Sequence, residues 1–189
     1  MGVLEDFKRA YKTLSDTTLH LMKKVPAGRE DFKPATGEFM TLGQLLYHLG
    51  DTQMFLRMIF EGTMRELDKN FLEYMGKHPS AGKDEAIRHF EEEHEKAMAL
   101  LDKMTEEEFL KAIYYFWTVA DEPLPFIAFN IIEHDASHKY QLFTYLKLIG
   151  LPDMDSLALA GEDTLPREQV MEMYMKAHQE YDRTHGVNA

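Results

Sequence analysis

Residues 131–152 read IIEHDASHKYQLFTYLKLIGLP, and this stretch does most to decide the fold. Its apolar residues recur every three or four positions, which is the spacing of one face of an α-helix. The helix is predicted to start after Pro125 and to end near Leu148, because Gly150 and Pro152 are typical of a helix C-terminus. Its core-facing stripe comprises Ile127, Ile131, His134, His138, Leu142, Tyr145 and Ile149. Two histidines therefore occupy positions that belong to a core.

Three more long helices are predicted upstream. The first has its stripe between Leu4 and Val25 and ends near Pro26. The second begins at Thr41, where Gln44 completes a capping box, and it ends at Gly62. The third begins near Asp84 and carries an acidic face at residues 91–95. A shorter helix is predicted over residues 64–75.

The remaining segments are shorter. Thr105 and Glu108 predict a second capping box at the start of a short helix. The segment IYYFWTVADEPLP (113–125) is predicted to be a structured connector, because no convincing alternating strand pattern occurs. A last amphipathic helix is predicted from Arg167 to about Arg183, with Thr164 as its cap and Pro166 in its first turn.

These elements predict an all-α protein, namely a four-helix bundle with extra short helices and an appended C-terminal helix. Residues 1–152 form the bundle in this interpretation, and residues 153–189 form a linker and an amphipathic helix that packs on the same domain. The order in which the helices neighbour one another stays open at this point.

Composition limits the partners. The chain of 189 residues has 33 acidic and 21 basic residues, and its formal charge of -12 repels nucleic acids and anionic membranes. Its N-terminus has no apolar signal region and no apolar run could span a bilayer, so a cytoplasmic location is expected. The chain has no cysteine, which excludes disulfides, thiolate ligands and a cysteine nucleophile.

The histidine spacing favours a metal site. His134 and His138 lie four residues apart, so both imidazoles project from one helix face and can converge on one ion. His48, beside the stripe of the second helix, is the best-placed third ligand. The alternative is a structural role without a metal, in which each histidine hydrogen-bonds a neighbouring carboxylate or carbonyl in the core.

Two segments resemble the DinB-like, or DNA-damage-inducible, family of helical bundles. They are TLGQLLYHLGDTQMFL (41–56) and IIEHDASHKYQLFTYLKLIGLP, with the order HxxxHxxQLxxYLxxxG followed by Leu-Pro. The resemblance implies that His48, His134 and His138 bind a divalent metal. It covers residues 1–152 in helix layout and leaves the C-terminal helix unexplained. Tyr140 departs from the glycine often found there, which predicts a bulkier pocket wall.

Other residues are candidates for supporting this site. Gln141, in the motif, and Asp51 and Asn130, each about one turn from a ligand, are predicted to orient the ligands or a bound water. Trp117 and His94 are candidates for the pocket wall, with ordinary core packing as the alternative for both.

A di-iron bundle is the structural rival. Glu91 and His94 have the Glu-x-x-His spacing that such bundles use twice, but the nearest second example is Asp135 with His138. The count therefore disfavours a di-iron centre.

Three neutral imidazoles leave coordination positions open for water or substrate, which is typical of a reactive site. Zinc or nickel is the favoured ion, with iron or cobalt as alternatives. The resemblance implies a small-molecule substrate and a metal-dependent transferase that uses a low-molecular-weight thiol; a hydrolase is also compatible. The alternative is a non-catalytic, stress-associated protein that binds a metal or ligand. Dimerisation through helix faces is a further expectation.

Overall fold

Four helices of 19 to 25 residues pack together in the structure, a computed structural model that describes residues 2–35, 37–64, 79–115, 120–152, 154–161 and 167–185. The described elements are α1 (Val3–Lys24), α2 (Leu42–Glu61), α3 (Lys83–Leu101), α4 (Glu106–Phe109), β1 (Ala112–Tyr115), β2 (Ala120–Pro123), α5 (Leu124–Leu148), α6 (Ser156–Leu159) and α7 (Arg167–His185). The all-α prediction is confirmed. The helix predicted over 64–75, beyond Met64, and the predicted cap at Thr164 and Pro166 lie outside the described residues.

Local sequence signals set the ends of α2. Thr41 and Gln44 form the predicted capping box, in which each side chain bonds the backbone N–H of the other residue. Gly62 ends the helix with a φ of 73°, a left-handed conformation that glycine adopts without steric cost. The second predicted box, Thr105 with Glu108, starts α4. The sequence therefore predicted both ends of α2, the helix that carries His48.

The long helices pack in the ring order α1, α5, α2, α3, so that each contacts two others. One apolar cluster, around Phe7, Leu56 and Ile127, joins the N-terminal halves of α1 and α5 to the C-terminal half of α2. A second, around Leu21, Leu45 and Leu146, joins the opposite halves. Helix α2 is therefore antiparallel to α5, although the two are far apart in sequence.

A polar layer, defined here as Tyr11, Thr52, Gln53, His94 and Asp135, separates the two apolar clusters. Gln53 follows Leu49 of the second cluster and precedes Leu56 of the first; Asp135 lies between Ile131 and Leu142 in the same way. Tyr11, Thr52, Gln53 and Asp135 have almost no exposed surface. The layer thus crosses the middle of the bundle.

The connector before α5 differs from the prediction. Residues 112–115 and 120–123 pair as a two-stranded antiparallel ribbon, with Ala112 opposite Pro123. Strand β1 contains the β-branched and aromatic residues that favour strands, but β2 reads ADEP and has none. The sequence of the ribbon therefore lacks the alternation of apolar and polar residues that would have predicted two strands.

The last helix, α7, is present as predicted. Every side chain described within α7 is exposed, including Met171, Met173, Tyr174, Met175 and Tyr181. Its packing on the bundle, and the expected dimer contact, stay predictions. None of the helices within the described ranges is long and apolar enough to cross a bilayer.

Candidate metal centre

The structure brings His48 of α2 together with His134 and His138 of α5. One ring nitrogen from each histidine lies within 4.8 Å of the others. His48 Nε2 and His134 Nε2 are 3.1 Å apart, and the ring centroids of His134 and His138 are 4.4 Å apart. Within the described residues, this is the only group of three or more ligand-type side chains that meets so closely.

Helix geometry explains the convergence. Residues four apart on α5 lie on one face, about 6 Å apart along the axis, so both rings project towards α2. His48 meets them because α2 and α5 are direct neighbours in the ring.

The spacing fits a bound ion. Nitrogen atoms about 2.1 Å from one ion lie at most about 4.2 Å apart, so small ring rotations would bring all three into its coordination sphere. His48 and His138 are partly buried, whereas His134 is exposed. An ion held here would thus be reached from solvent along one side, which leaves room for a further ligand.

The protonation of the ligands also suits metal binding. Loss of water around the His134 ring and, to a smaller extent, the neighbouring His138 together lower the pKa of His134 to about 4. Burial lowers the pKa of His138 as well, against the opposing effect of its hydrogen bond to Gln141. Both imidazoles are therefore neutral at pH 7, the form that binds a metal.

A chain of hydrogen bonds supports His138. Its Nδ1 lies 2.9 Å from Gln141 Oε1, so the Nδ1 proton is donated to the amide oxygen and Nε2 is left for an ion. Gln141 Nε2 then donates to the Tyr145 hydroxyl at 3.0 Å, and that hydroxyl donates to the Met40 carbonyl at 2.9 Å. The structure thus places Gln141 where it can hold the ring of one ligand.

The other predicted supporting residues have partners away from the triad. Asp51 is buried, with Oδ1 3.1 Å from Nε2 of His89 on α3. Asn130 donates to the Phe126 carbonyl on the outer side of α5. Neither contact orients a histidine of the triad, and the proposed supporting roles of both residues stay predictions.

The predicted pocket residue His94 has its described hydrogen bond in the polar layer. His94 Nδ1 lies 3.3 Å from Gln53 Oε1, within the polar layer, and its ring packs edge-on against Tyr11. Trp117 lies outside the described residues. Tyr140 is 59% exposed, and the bulkier pocket wall predicted from it stays a prediction. Glu91 pairs with Lys23 on the surface, so the Glu-x-x-His spacing builds no di-iron site with His94 here.

The polar layer was missed by the sequence analysis. Gln53 Nε2 donates to Asp135 Oδ2 at 2.9 Å, and Thr52 Oγ1 lies 3.0 Å from Asp135 Oδ1. Tyr11 donates to Gln53 Oε1 at 2.7 Å. Burial raises the pKa of Asp135 to about 7, although its hydrogen bonds oppose the shift. The available signal was a run of polar residues at core positions of both α2 and α5.

The fold and the site together define a class of protein: a four-helix bundle in which three imidazoles from two antiparallel helices converge on one point. The sequence model of the DinB superfamily matches residues 10–142, and the chain belongs to that superfamily.

A solved structure supports the fold. The crystal structure of the DinB-like protein YjoA from Bacillus subtilis is similar with a TM-score of 0.60 and 20% identity, covering 79% of this chain and 96% of that one. No curated protein matches this sequence.

Proposed function

We propose that this protein is a metal-dependent enzyme that binds one divalent ion at His48, His134 and His138 and transfers a small thiol to an electrophilic compound. The observation that carries the proposal is the convergence of three ring nitrogens within 4.8 Å beside an exposed edge. The convergence of three ring nitrogens from two helices on one point is the arrangement of a metal ligand set and favours that role over ordinary core packing.

The residues of the chain would hold and orient the reactants. His48, His134 and His138 would bind the ion, and Gln141 would fix the ring of His138 through its Nδ1 proton. When bound, a divalent ion lowers the pKa of a coordinated water or thiol towards neutrality. The exposed side of His134 is where a small substrate would approach.

The absence of cysteine from the sequence agrees with a sulfur nucleophile that arrives as a second substrate. In the proposed transfer, the thiol proton passes to solvent and the sulfur forms a bond to the electrophilic carbon. The leaving group departs with its bonding electron pair, so the reaction needs no oxidant or reductant. A water in place of the thiol would give a hydrolase by the same arrangement.

The ligand atoms limit the choice of ion. Three neutral imidazole nitrogens can bind zinc, nickel, iron or cobalt. Among these ions we propose zinc or nickel. These ligands contribute no charge, so the ion would keep its full positive charge for an anionic thiolate.

Turnover tests the enzymatic part of the proposal. Metal-loaded protein would be incubated with low-molecular-weight thiols and alkylating electrophiles, and the thioether product would be measured by mass spectrometry. The expected result is a product whose formation needs the ion and disappears in His138→Ala. A metal-loaded protein that binds no thiol and turns over none of the substrates would contradict the transferase.

A second candidate is a metal-binding protein without catalysis. It is favoured by the position of the triad, which joins two helices, α2 and α5, that are distant in sequence. An ion there would stabilise the bundle by mass action. This candidate predicts a large loss of thermal stability on chelation together with no exchange of water or thiol at the ion.

A further inference from the structure

We infer that Asp135 is a positioning residue for the metal centre: through Thr52 and Gln53 it sets the register of α5 along α2, so that His48 meets the two histidines of α5. This inference rests on the proposed metal site and adds to it a residue that touches neither the ion nor a substrate. The observation behind it is a buried carboxylate hydrogen-bonded across the same pair of helices that supplies the ligands.

The two sets of contacts are adjacent. Asp135 follows His134 directly, so it is turned by about 100° from that ligand and faces the interior of the bundle. On α2, Thr52 and Gln53 lie one turn beyond His48, about 6–8 Å along the axis. Because α2 and α5 are antiparallel, the hydrogen bonds to Asp135 and the contact between the histidines are neighbours in the same interface between these two helices.

Directional contacts fix a register that apolar contacts leave loose. The apolar clusters on either side consist largely of leucine, isoleucine and phenylalanine, whose packing is non-directional. The hydrogen bonds of Asp135, at 2.9 and 3.0 Å, tolerate little displacement. A slip of one residue moves a helix by about 1.5 Å, which is large beside a metal–nitrogen distance of about 2.1 Å.

Gln53 is itself held from the opposite side. Its Oε1 accepts from the Tyr11 hydroxyl of α1 and lies 3.3 Å from Nδ1 of His94 on α3. The polar layer therefore reaches all four long helices. Its effect is to fix α2, and with it His48, against the whole bundle rather than against α5 alone.

A purely structural role makes a different prediction. If the polar layer only contributed stability, its loss would weaken metal binding no more than an equally destabilising change elsewhere. If it sets the register, its loss weakens binding and alters coordination at matched stability. Leu101→Ala is a suitable control, because Leu101 is fully buried in the first cluster and lies on α3, which supplies no ligand.

The test is a titration with Co²⁺, whose visible absorption reports both affinity and coordination geometry. Wild type, Asp135→Leu, Asp135→Asn, Thr52→Val and Leu101→Ala would be compared after circular dichroism and cooperative melting have shown that each is folded. We expect Asp135→Leu to bind Co²⁺ about 10–100-fold more weakly with a changed spectrum. Asp135→Asn and Thr52→Val should show smaller losses in the same direction, and Leu101→Ala should stay within about 3-fold.

The outcomes separate the inference from the function on which it rests. Wild-type protein that binds no Co²⁺ would contradict both the proposed metal site and the positioning role of Asp135. Wild-type binding that Asp135→Leu and Thr52→Val retain with the same affinity and spectrum would overturn the positioning role alone. An equal loss in Leu101→Ala would also overturn it. If Asp135→Leu fails to fold, Asp135→Asn and Thr52→Val decide the question.

Discussion

Two groups of polar side chains are neighbours between α2 and α5, and they are arranged in opposite ways. In the polar layer, Asp135, Thr52 and Gln53 are fully buried and hydrogen-bonded to one another. In the triad, the rings face one another at an exposed edge, and neighbouring Nε2 atoms of His48 and His134 lie 3.1 Å apart. A buried layer whose side chains hydrogen-bond one another is suited to holding the helices in place. Imidazoles that converge at an exposed edge are suited to binding an ion from solvent.

The largest expected effect is that of removing the ligands. His134→Ala with His138→Ala should lower Zn²⁺ affinity by at least about 100-fold, more than the loss of any outer partner, because two of three donor atoms are gone. Isothermal titration calorimetry measures the change. His178→Ala, on the exposed helix α7, is a matched control that should bind as wild type does. Equal affinity in the double variant would place the ion elsewhere.

Removal of the bound ion should lower the thermal stability of the protein. At a free ion concentration about 100 times Kd, binding adds about 2.7 kcal/mol to the free energy of unfolding, which corresponds to roughly 5–10 °C in Tm. Differential scanning calorimetry with and without a chelator checks this. The double variant should show no shift, and a shift of the same size there would mean that the chelator acts at another site.

Gln141→Leu should have a smaller effect on affinity. It removes the acceptor for the His138 Nδ1 proton, so the ring loses its fixed orientation, and Zn²⁺ affinity should fall about 10-fold and by no more than about 100-fold. Thr144→Val, an exposed change one turn along α5 that breaks only a bond to the Tyr140 carbonyl, is the control. Unchanged affinity in Gln141→Leu would remove this residue from the site.

The polar layer should make the free energy of unfolding depend on pH through His94. Burial lowers the pKa of His94; Asp16 has a smaller effect that raises this pKa, and Lys12 has a smaller effect that lowers it. Since the unfolded chain then binds more protons, the His94 contribution to the free energy of unfolding is present above pH 6.5 and is lost as the pH falls. In metal-free protein, wild type should therefore lose stability relative to His94→Phe between about pH 7 and about pH 5. Urea unfolding at several pH values tests this; a difference that stays constant or has the opposite sign would contradict it.

The smallest effect is expected for Asn130→Ala. Its side chain bonds the Phe126 carbonyl on the outer face of α5, so Zn²⁺ affinity should change by less than about 3-fold, in contrast to Gln141→Leu. The same calorimetric titration measures both variants. A 10-fold loss would restore the supporting role that its position in the sequence suggested.

The sequence identified the long helices because their signals are local. The Thr41–Gln44 box and Gly62 mark both ends of α2, and the spacing of His134 and His138 places both on one face of α5. The third ligand, His48, needed the family resemblance, because periodicity does not say which helices are neighbours. The ring order emerged only in the structure.

The contacts that the sequence did not predict share a physical cause, since each depends on a partner distant in sequence. The position of Asp135 next to His134 in the sequence does not predict its hydrogen bonds to Thr52 and Gln53 of another helix. Asp51 lies one turn from His48, yet its partner is His89 on α3. The ribbon strand β2 forms because β1 pairs with it, not because its own residues favour a strand.

The measurement that tests the account most directly is the metal content of the protein purified without an affinity tag, determined by elemental mass spectrometry. We expect about one divalent ion per chain, zinc or nickel, and none in the His134→Ala, His138→Ala double variant. A wild-type protein that contains no metal and takes up neither ion on incubation would contradict the account and would make the three histidines structural.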